Sequence, residues 1–448
     1  VLALAAALLL AQVPDDALPR RYAVERVELE GISRTRPAEV RRHLAVAEGD
    51  VLDDGAVLLS RLKLLQLGWF SRVEARVERG SQRGLVVLVF SVVERNTLIV
   101  SELVLGGTGP QPLYGGLGLS QQNFLGRGFG LSGAFVYGGS PAQRPLDPAR
   151  FSARASFFAP DVDLGPSLPR LVLGASALWL RGEEFTCADA SCSAFVGHYG
   201  DAPRLRYDRA GGEVAAGIRP GPFERLFAGF RAESLGATNV PGALPPAAGG
   251  TPPSVRQGRT LLAALTGTYD RDTRDDFFLP RQGSHVTVSV TFGSPSLGGD
   301  YEYARWLVLA ETAHGLARGR ALRFLGAAGA TQGDAPFFER FFAADWAYFS
   351  MGPAVGRALD LNFSTDSRYD SLLLAAGAEY AVPLWSGGAF LHRGYLAAGA
   401  RALYTAARPH ASRTAQSRTP LSADLALRLD TPVGSFNLSL GYALDLFL

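Results

Sequence analysis

Residues 285–292 read HVTVSVTF. In an extended chain His285, Thr287, Ser289 and Thr291 fall on one face, and Val286, Val288, Val290 and Phe292 on the other, because successive side chains point to opposite sides. The same period runs through SADLALRLD (422–430), where Asp424, Arg428 and Asp430 oppose Ala423, Leu425, Leu427 and Leu429. FSARASF (151–157) and FNLSLGYALDL (436–446) repeat it. One such segment suits a half-buried strand of a soluble sandwich. Many of them, each of roughly 9–12 residues, match what a tilted strand needs to cross a bilayer. They fill the chain from about residue 98 onward, so the expectation over 98–448 is a membrane β-barrel of about sixteen antiparallel strands, an even number as closure requires.

Composition agrees with that reading. The chain has 448 residues, 44 basic against 42 acidic, for a net charge of +2. This balance gives no support for a nucleic-acid partner, which needs a clustered basic face. Hydrophobic residues make up 47%, yet no apolar run approaches the ~20 residues of a spanning helix. The six histidines are scattered, so no metal and no cofactor are expected. No Gly-x-Ser-x-Gly stands in a strand–turn–helix context, which argues against a hydrolase and leaves no catalytic residue to name.

Residues 1–11, VLALAAALLLA, resemble the apolar core of a secretory signal peptide, with cleavage plausible after Ala11 and a linker over 12–23. In an exported chain the only two cysteines, Cys187 and Cys192 in FTCADASC, read as a local disulfide within a polar loop.

Residues 24–95 follow other rules. VERVELEGI (24–32) alternates like a strand. Pro37 suits the first turn of a helix carrying Val40 and Leu44. Asp53 can cap a second helix with Leu58, Leu62 and Leu65 at helical spacing, and Gly68 stops it. Two strands follow, SRVEARVE (71–78) and LVVLVFSVVE (85–94). The order is βααββ, enough for one small α+β core.

Connections within the barrel fall into two sets. Short ones lie near 123–128, 160–169, 220–224, 315–319 and 432–435, and long ones near 182–210, 236–258, 331–368 and 405–419. Outer-membrane barrels have short periplasmic turns and longer external loops, so the long set is expected outside the cell. Gly126 and Gly128 in NFLGRG permit the positive dihedrals of a tight turn. Pro280 and Gly283 serve another turn, where Asp272, Arg274, Asp275 and Asp276 read as a solvated polar cluster.

Several of these motifs carry a family resemblance. VELEGISRTRPAEV (27–40), the LGWF of LLSRLKLLQLGWFSRVEARVE (58–78) and VVLVFSVVER (86–95) look like one polypeptide-transport-associated (POTRA) domain, with Gly31, Gly68 and Phe70 as its motif residues. GGLGLSQQNFLGRGFGLSGAF (115–135), with Asn123, Gly126, Arg127 and Gly128, is similar to the first barrel hairpin of the BamA/TamA-like outer-membrane assembly factors and their two-partner secretion relatives. YDRDTRDDFFLPRQGSHVTVSV (269–290) resembles their mid-barrel D-x-R-D … P-x-x-G turn, and LRLDTPVGSFNLSLGYA (427–443) their closing hairpin.

The resemblance implies a long loop folded into the lumen, carrying E-R-F and then V-R-G-F/Y, whose arginine meets an acidic wall residue. Glu339, Arg340 and Phe341 match the first part, while Val355, Gly356 and Arg357 resemble the second with Gly and Arg exchanged. Arg357 and Glu379 are therefore the expected lumen pair. The family's second acidic partner is not evident in LAAGARALY (396–404).

Functionally the resemblance implies a non-enzymatic outer-membrane protein that inserts, assembles or translocates client polypeptides, with its POTRA domain in the periplasm. The alternative is a dedicated secretion pore for one partner, and an outer-membrane hydrolase is the weakest reading. Implied partners are unfolded outer-membrane or secreted polypeptides, outer-membrane lipid, and periplasmic chaperones or lipoproteins.

Overall fold

The structure is a computed structural model. It describes residues 22–443 except 109–110, 140–148, 163–169, 186–203, 241–254, 277–278, 347–358, 364–368, 388–389, 407–416 and 419–420. The leader-like segment 1–11, Cys187, Cys192 and Val355–Gly356–Arg357 thus lie outside the described residues.

The chain divides at Arg95 into two compact units. The first holds β1 (Ala23–Glu30), α1 (Pro37–Arg42), α2 (Asp54–Gln66), β2 (Phe70–Arg79) and β3 (Leu85–Glu94), with sheet order β1–β3–β2. Asp53 caps α2 by accepting from the amides of Gly55 (3.2 Å) and Ala56 (3.1 Å). Gly31 turns the chain at φ +81°, where a Cβ would stand 2.0 Å from the Val92 carbonyl oxygen. Phe70 and Trp69 are buried with Val27, Val40, Leu64 and Phe90, a core of the unit's own.

The second unit is one long antiparallel sheet. In chain order its strands are β4 (Leu98–Gly106), β5 (Tyr114–Phe124), β6 (Phe129–Gly138), β7 (Arg150–Val162), β8 (Leu171–Phe185), β9 (Arg204–Ile218), β10 (Glu224–Thr238) and β11 (Gly258–Asp272). Then come β12 (Gln282–Gly293), β13 (Tyr303–Gly315) and β14 (Ala321–Gly333). A long loop holds β15 (Phe341–Phe342), α3 (Ala343–Trp346) and β16 (Tyr369–Asp370). The wall resumes with β17 (Leu372–Ser386) and β18 (Arg393–Ala406), and after the two-residue β19 (Ser417–Arg418) ends with β20 (Leu421–Thr431) and β21 (Gly434–Ala443). Fifteen strands follow one another in the sheet from β4 to β21, and β19 pairs beside β18.

Which face is buried separates a barrel from a sandwich. Leu105, Phe135, Trp179, Val214, Trp306, Leu374, Leu425 and Leu440 are all exposed. The opposite face buries Arg150, Glu183, Arg209, Glu233, Arg323, Glu379 and Arg428. A sandwich would do the reverse; apolar outside and charged inside is the pattern lipid demands. No helix among the described residues is long and apolar enough to cross a membrane. All five short connections read from the sequence fall on one rim, and all four long ones on the other.

Candidate functional site: the lumen and the seam

Every second wall residue faces the lumen, and charges there must find partners because uncompensated buried ions are costly. They form a ladder. Arg323 on β14 and Glu379 on β17 are register partners, joined by Arg323 Nη1 donating to Glu379 Oε1 at 2.9 Å. Arg323 also donates through Nη2 and Nε to Glu311 on β13, at 2.6 and 2.9 Å. Arg428 on β20 reaches Glu379 Oε1 from Nη1 at 2.8 Å, and its Nη2 donates to Oε2. The residue opposite Glu379 on the intervening β18 is Gly399, which leaves the space that Arg428 crosses. Glu379 is only 1% exposed and carries two guanidinium groups from the wall. Its expected partner Arg357 lies outside the described residues.

The described residues of the long loop meet the wall on the other side of the lumen. Glu339, from the E-R-F match, is buried and accepts from Arg231 Nη2 on β10 at 2.5 Å. Arg231 also donates to the Tyr303 hydroxyl at 3.1 Å. Phe338 lies 3.8 Å beneath the Arg209 guanidinium, which pairs with Glu233 at 2.8 Å. Phe341 is buried against Trp346 and Leu373, whereas Arg340 is only half-buried. Further along, Asp360 pairs with Arg154 on β7 at 2.6 Å, and Phe363 stacks on Tyr114 of β5 with ring centroids 4.1 Å apart. The Tyr369 hydroxyl and Asn362 amide both donate to buried Glu184, at 2.6 and 2.9 Å. The described loop-to-wall pairs therefore include an acid on the loop meeting a base on the wall. That polarity is opposite to the one read from the sequence for Arg357 and Glu379. Arg231 and Glu184 went unnoticed there, and Arg154 was read only as a polar-face residue of 151–157; lumen-facing parity within β10, β8 and β7 was the available signal.

Two short-rim turns also carry motif residues. In the first, Leu125, Gly126 and Gly128 have positive φ (58°, 68° and 72°). Buried Asn123 closes this turn, its Oδ1 accepting from the Gly128 amide at 2.8 Å, while Arg127 points to solvent. The second, residues 273–276 and 279–281, departs from the expected solvated cluster at Arg274, while Asp275 is exposed and Asp272 and Asp276 are half-buried. Arg274 is buried, holding Asp272 at 2.6 Å and Glu311 at 3.0 Å. Asp275 Oδ1 accepts from the amides of Arg281 (2.8 Å) and Gln282 (3.1 Å). Asp276 meets Arg393 of β18 at 2.5 Å. Leu279 is 1% exposed and packs with Ala381, Tyr395, Ala397 and Ala426 from the lumen side of β17, β18 and β20. Its burial seats this end of the turn in the barrel mouth, while Asp275 stays exposed. Gly283 makes this possible: φ is +100°, and a Cβ would stand 2.3 Å from the Thr273 carbonyl oxygen.

The barrel wall has one weak line, between β4 and β21. Both strands start at the short-turn rim, so they run in the same direction. Neighbouring β20 and β21 share ten register pairs. Across the seam, among the described residues, one backbone hydrogen bond forms, from Val100 N–H to the Val433 carbonyl at 2.8 Å. The remaining edge N–H and C=O groups of both strands form an unfilled template for another strand.

Comparison with known proteins supports this architecture. Residues 123–445 match the Omp85 superfamily domain, and residues 22–95 match a POTRA family described as a surface antigen variable number repeat. Outer membrane protein assembly factor BamA of Nitratidesulfovibrio vulgaris is 25% identical over 331 residues, covering 72% of this chain and 37% of that relative. The chain thus spans little over a third of the curated relative's length. CdiB from Escherichia coli has a similar fold, with TM-score 0.63 at 12% identity over 95% of this chain and 73% of that one. BamA from Haemophilus ducreyi lacking POTRA domains 1–3 gives TM-score 0.50 at 19% identity, over 96% and 82%.

Proposed function

The chain belongs to the Omp85 superfamily, and from that premise we propose that it inserts client polypeptides into the outer membrane at its seam. It is an outer-membrane β-barrel protein with a periplasmic POTRA domain. The seam carries the reading: among the described residues, its two edge strands meet through one backbone hydrogen bond. An extended client segment running opposite to both would find antiparallel partners on either side. The POTRA sheet offers a receiving edge. Residues 49–52 already bond the start of β1, whereas β2 lies at the sheet's other border with Val77 exposed. Periplasmic chaperones or lipoproteins would deliver clients to that edge.

The lumen favours insertion over export through the pore. Glu339, Phe338 and Phe363 occupy one side of it, and Leu279 of the β11–β12 connection enters its short-rim mouth. Passage would require both to leave. Depletion of the protein followed by quantitation of the outer-membrane proteome tests the proposal. Loss of several barrel proteins is expected. Loss of a single secreted protein would instead establish dedicated export, and an unchanged proteome would sink both readings.

A further inference from the structure

Among the described residues the one seam hydrogen bond belongs to Val433, within the β20–β21 turn, so whatever fixes that turn bears on the seam. Gly434 sits there at φ +143°, and a Cβ on it would stand 2.7 Å from the Val100 carbonyl oxygen. Thr431 Oγ1 donates to the Gly434 carbonyl at 2.7 Å and accepts from the Val433 amide at 3.3 Å. One residue earlier, Asp430 is buried and accepts from Arg393 Nε and Nη2 at 3.0 and 2.8 Å. Its carbonyl takes the His392 amide at 2.8 Å. Arg393 in turn spends Nη1 on Asp276 of the inserted turn. Leu279 of the same turn packs on Ala426 of β20 and Ala397 of β18. A continuous set of contacts therefore runs from the 273–281 turn through Arg393 and Asp430 to the hairpin that touches β4.

The geometry points to a latch: Asp276 and Leu279 of the β11–β12 connection, seated at the lumen mouth, hold the β20–β21 hairpin against β4, and their withdrawal releases the seam. Asp276 supplies the charge that keeps Arg393 aimed at Asp430, and Leu279 supplies an apolar anchor that water disfavours leaving. Two weak points of the barrel, its mouth and its seam, then move together. The inference rests on the insertion reading only for its consequence; the seam distance can be measured without a client.

The test uses the whole chain folded in lipid, with Cys187 and Cys192 replaced by serine and spin labels at Leu103 on β4 and Leu438 on β21, both exposed. Pulsed electron resonance should give a short, narrow distance for the parent. Asp276→Asn and Leu279→Ala should each lengthen it by at least one strand spacing, about 4.8 Å. Arg225→Ala, which removes the ion pair to Asp270 near the same rim, should leave it unchanged. Unchanged distances in both latch variants, or equal widening in Arg225→Ala, overturn the proposal. Should a latch variant fail to fold, Leu279→Cys with Ala397→Cys decides. Joining these thiols with a short crosslinker must narrow the distance distribution and slow client insertion several-fold; no difference between joined and unjoined protein refutes the latch.

Discussion

Replacing Glu379 by glutamine removes one carboxylate and leaves two guanidinium groups facing each other. Arg323 keeps Glu311 at 2.6 Å. Arg428 exchanges two bonds to a carboxylate for at most one to a neutral amide oxygen. Breaking a buried pair by removing one partner costs about 3–5 kcal/mol. The lumen is semi-enclosed rather than dry, and the glutamine oxygen still accepts one hydrogen bond, so the lower end of that range, about 3 kcal/mol, is expected. Urea titration of the barrel folded in lipid, followed by tryptophan fluorescence and by gel mobility of unheated protein, measures it. Arg428→Met and the double variant complete a cycle: the two losses should be strongly sub-additive, because each single change already breaks the same contact. A loss below about 0.5 kcal/mol for Glu379→Gln, the size of an ordinary surface change, would refute the ladder. So would strict additivity in the cycle.

The other perturbations address the loop, the small domain and the latch turn. Arg231→Met should strand Glu339 in the lumen, loosen the loop and raise single-channel conductance in planar bilayers; parental conductance would count against the anchor. Burial pushes the Glu94 carboxyl up, but the Ser33 hydroxyl (2.7 Å) and the amides of Thr35 (2.8 Å) and Arg34 (3.0 Å) more than offset it and hold the pKa at about 2, below its ordinary 4.5. A depressed acid stabilises the fold fully above the unfolded value, so this contribution should be lost as pH falls from about 4.5 towards 2. Residues 22–95 contain a single tryptophan, Trp69. Its fluorescence in urea should show that loss in the parent domain and a flatter acid profile in Glu94→Gln. Gly283→Ala should destabilise the barrel by about 1 kcal/mol or more through its positive φ and the Thr273 clash; an unchanged urea midpoint would count against the strained turn.

The period of two in HVTVSVTF and its companions made the barrel legible, because parity alone decides which face a strand residue takes. Glycine positions in NFLGRG were legible for the same local reason: backbone dihedrals are set by nearest neighbours. Glu339 was within reach, since its motif is contiguous. The inserted turn was not. DTRDDFFLPRQG is polar enough to read as solvated, and only the apolar wall of Ala381, Tyr395, Ala397 and Ala426, distant in sequence, makes a site for Leu279. The ladder partners of Glu379 were equally hidden. Arg428 was visible as an inward-facing charge, but its reach across β18 depends on Gly399 standing opposite Glu379, a matter of register that no local pattern contains.

Ion pairs also show where the barrel is rigid. Among the described residues every lumen ion pair of the barrel joins residues from β7 to β20, including the loop and the inserted turn. The sequences of β5, β6 and β21 contain no charged residue, and β4 contains only Glu102. Buried pairs add little net stability over apolar packing, yet once formed they resist partial opening, because separating one partner exposes the cost of the other. The wall opposite the seam is thus cross-linked by ion pairs, while the four strands flanking the seam rely on backbone bonds, lipid-facing contacts and apolar lumen packing such as Tyr114 on Phe363. Local opening should follow the same division. Amide hydrogen exchange in lipid should be slow in β11 to β17 and at least tenfold faster in β4 and β21, with β5 and β6 between. Uniform protection around the barrel would mean that the ion pairs do not set its flexibility, and that the seam is held by something other than the hairpin turn at Val433.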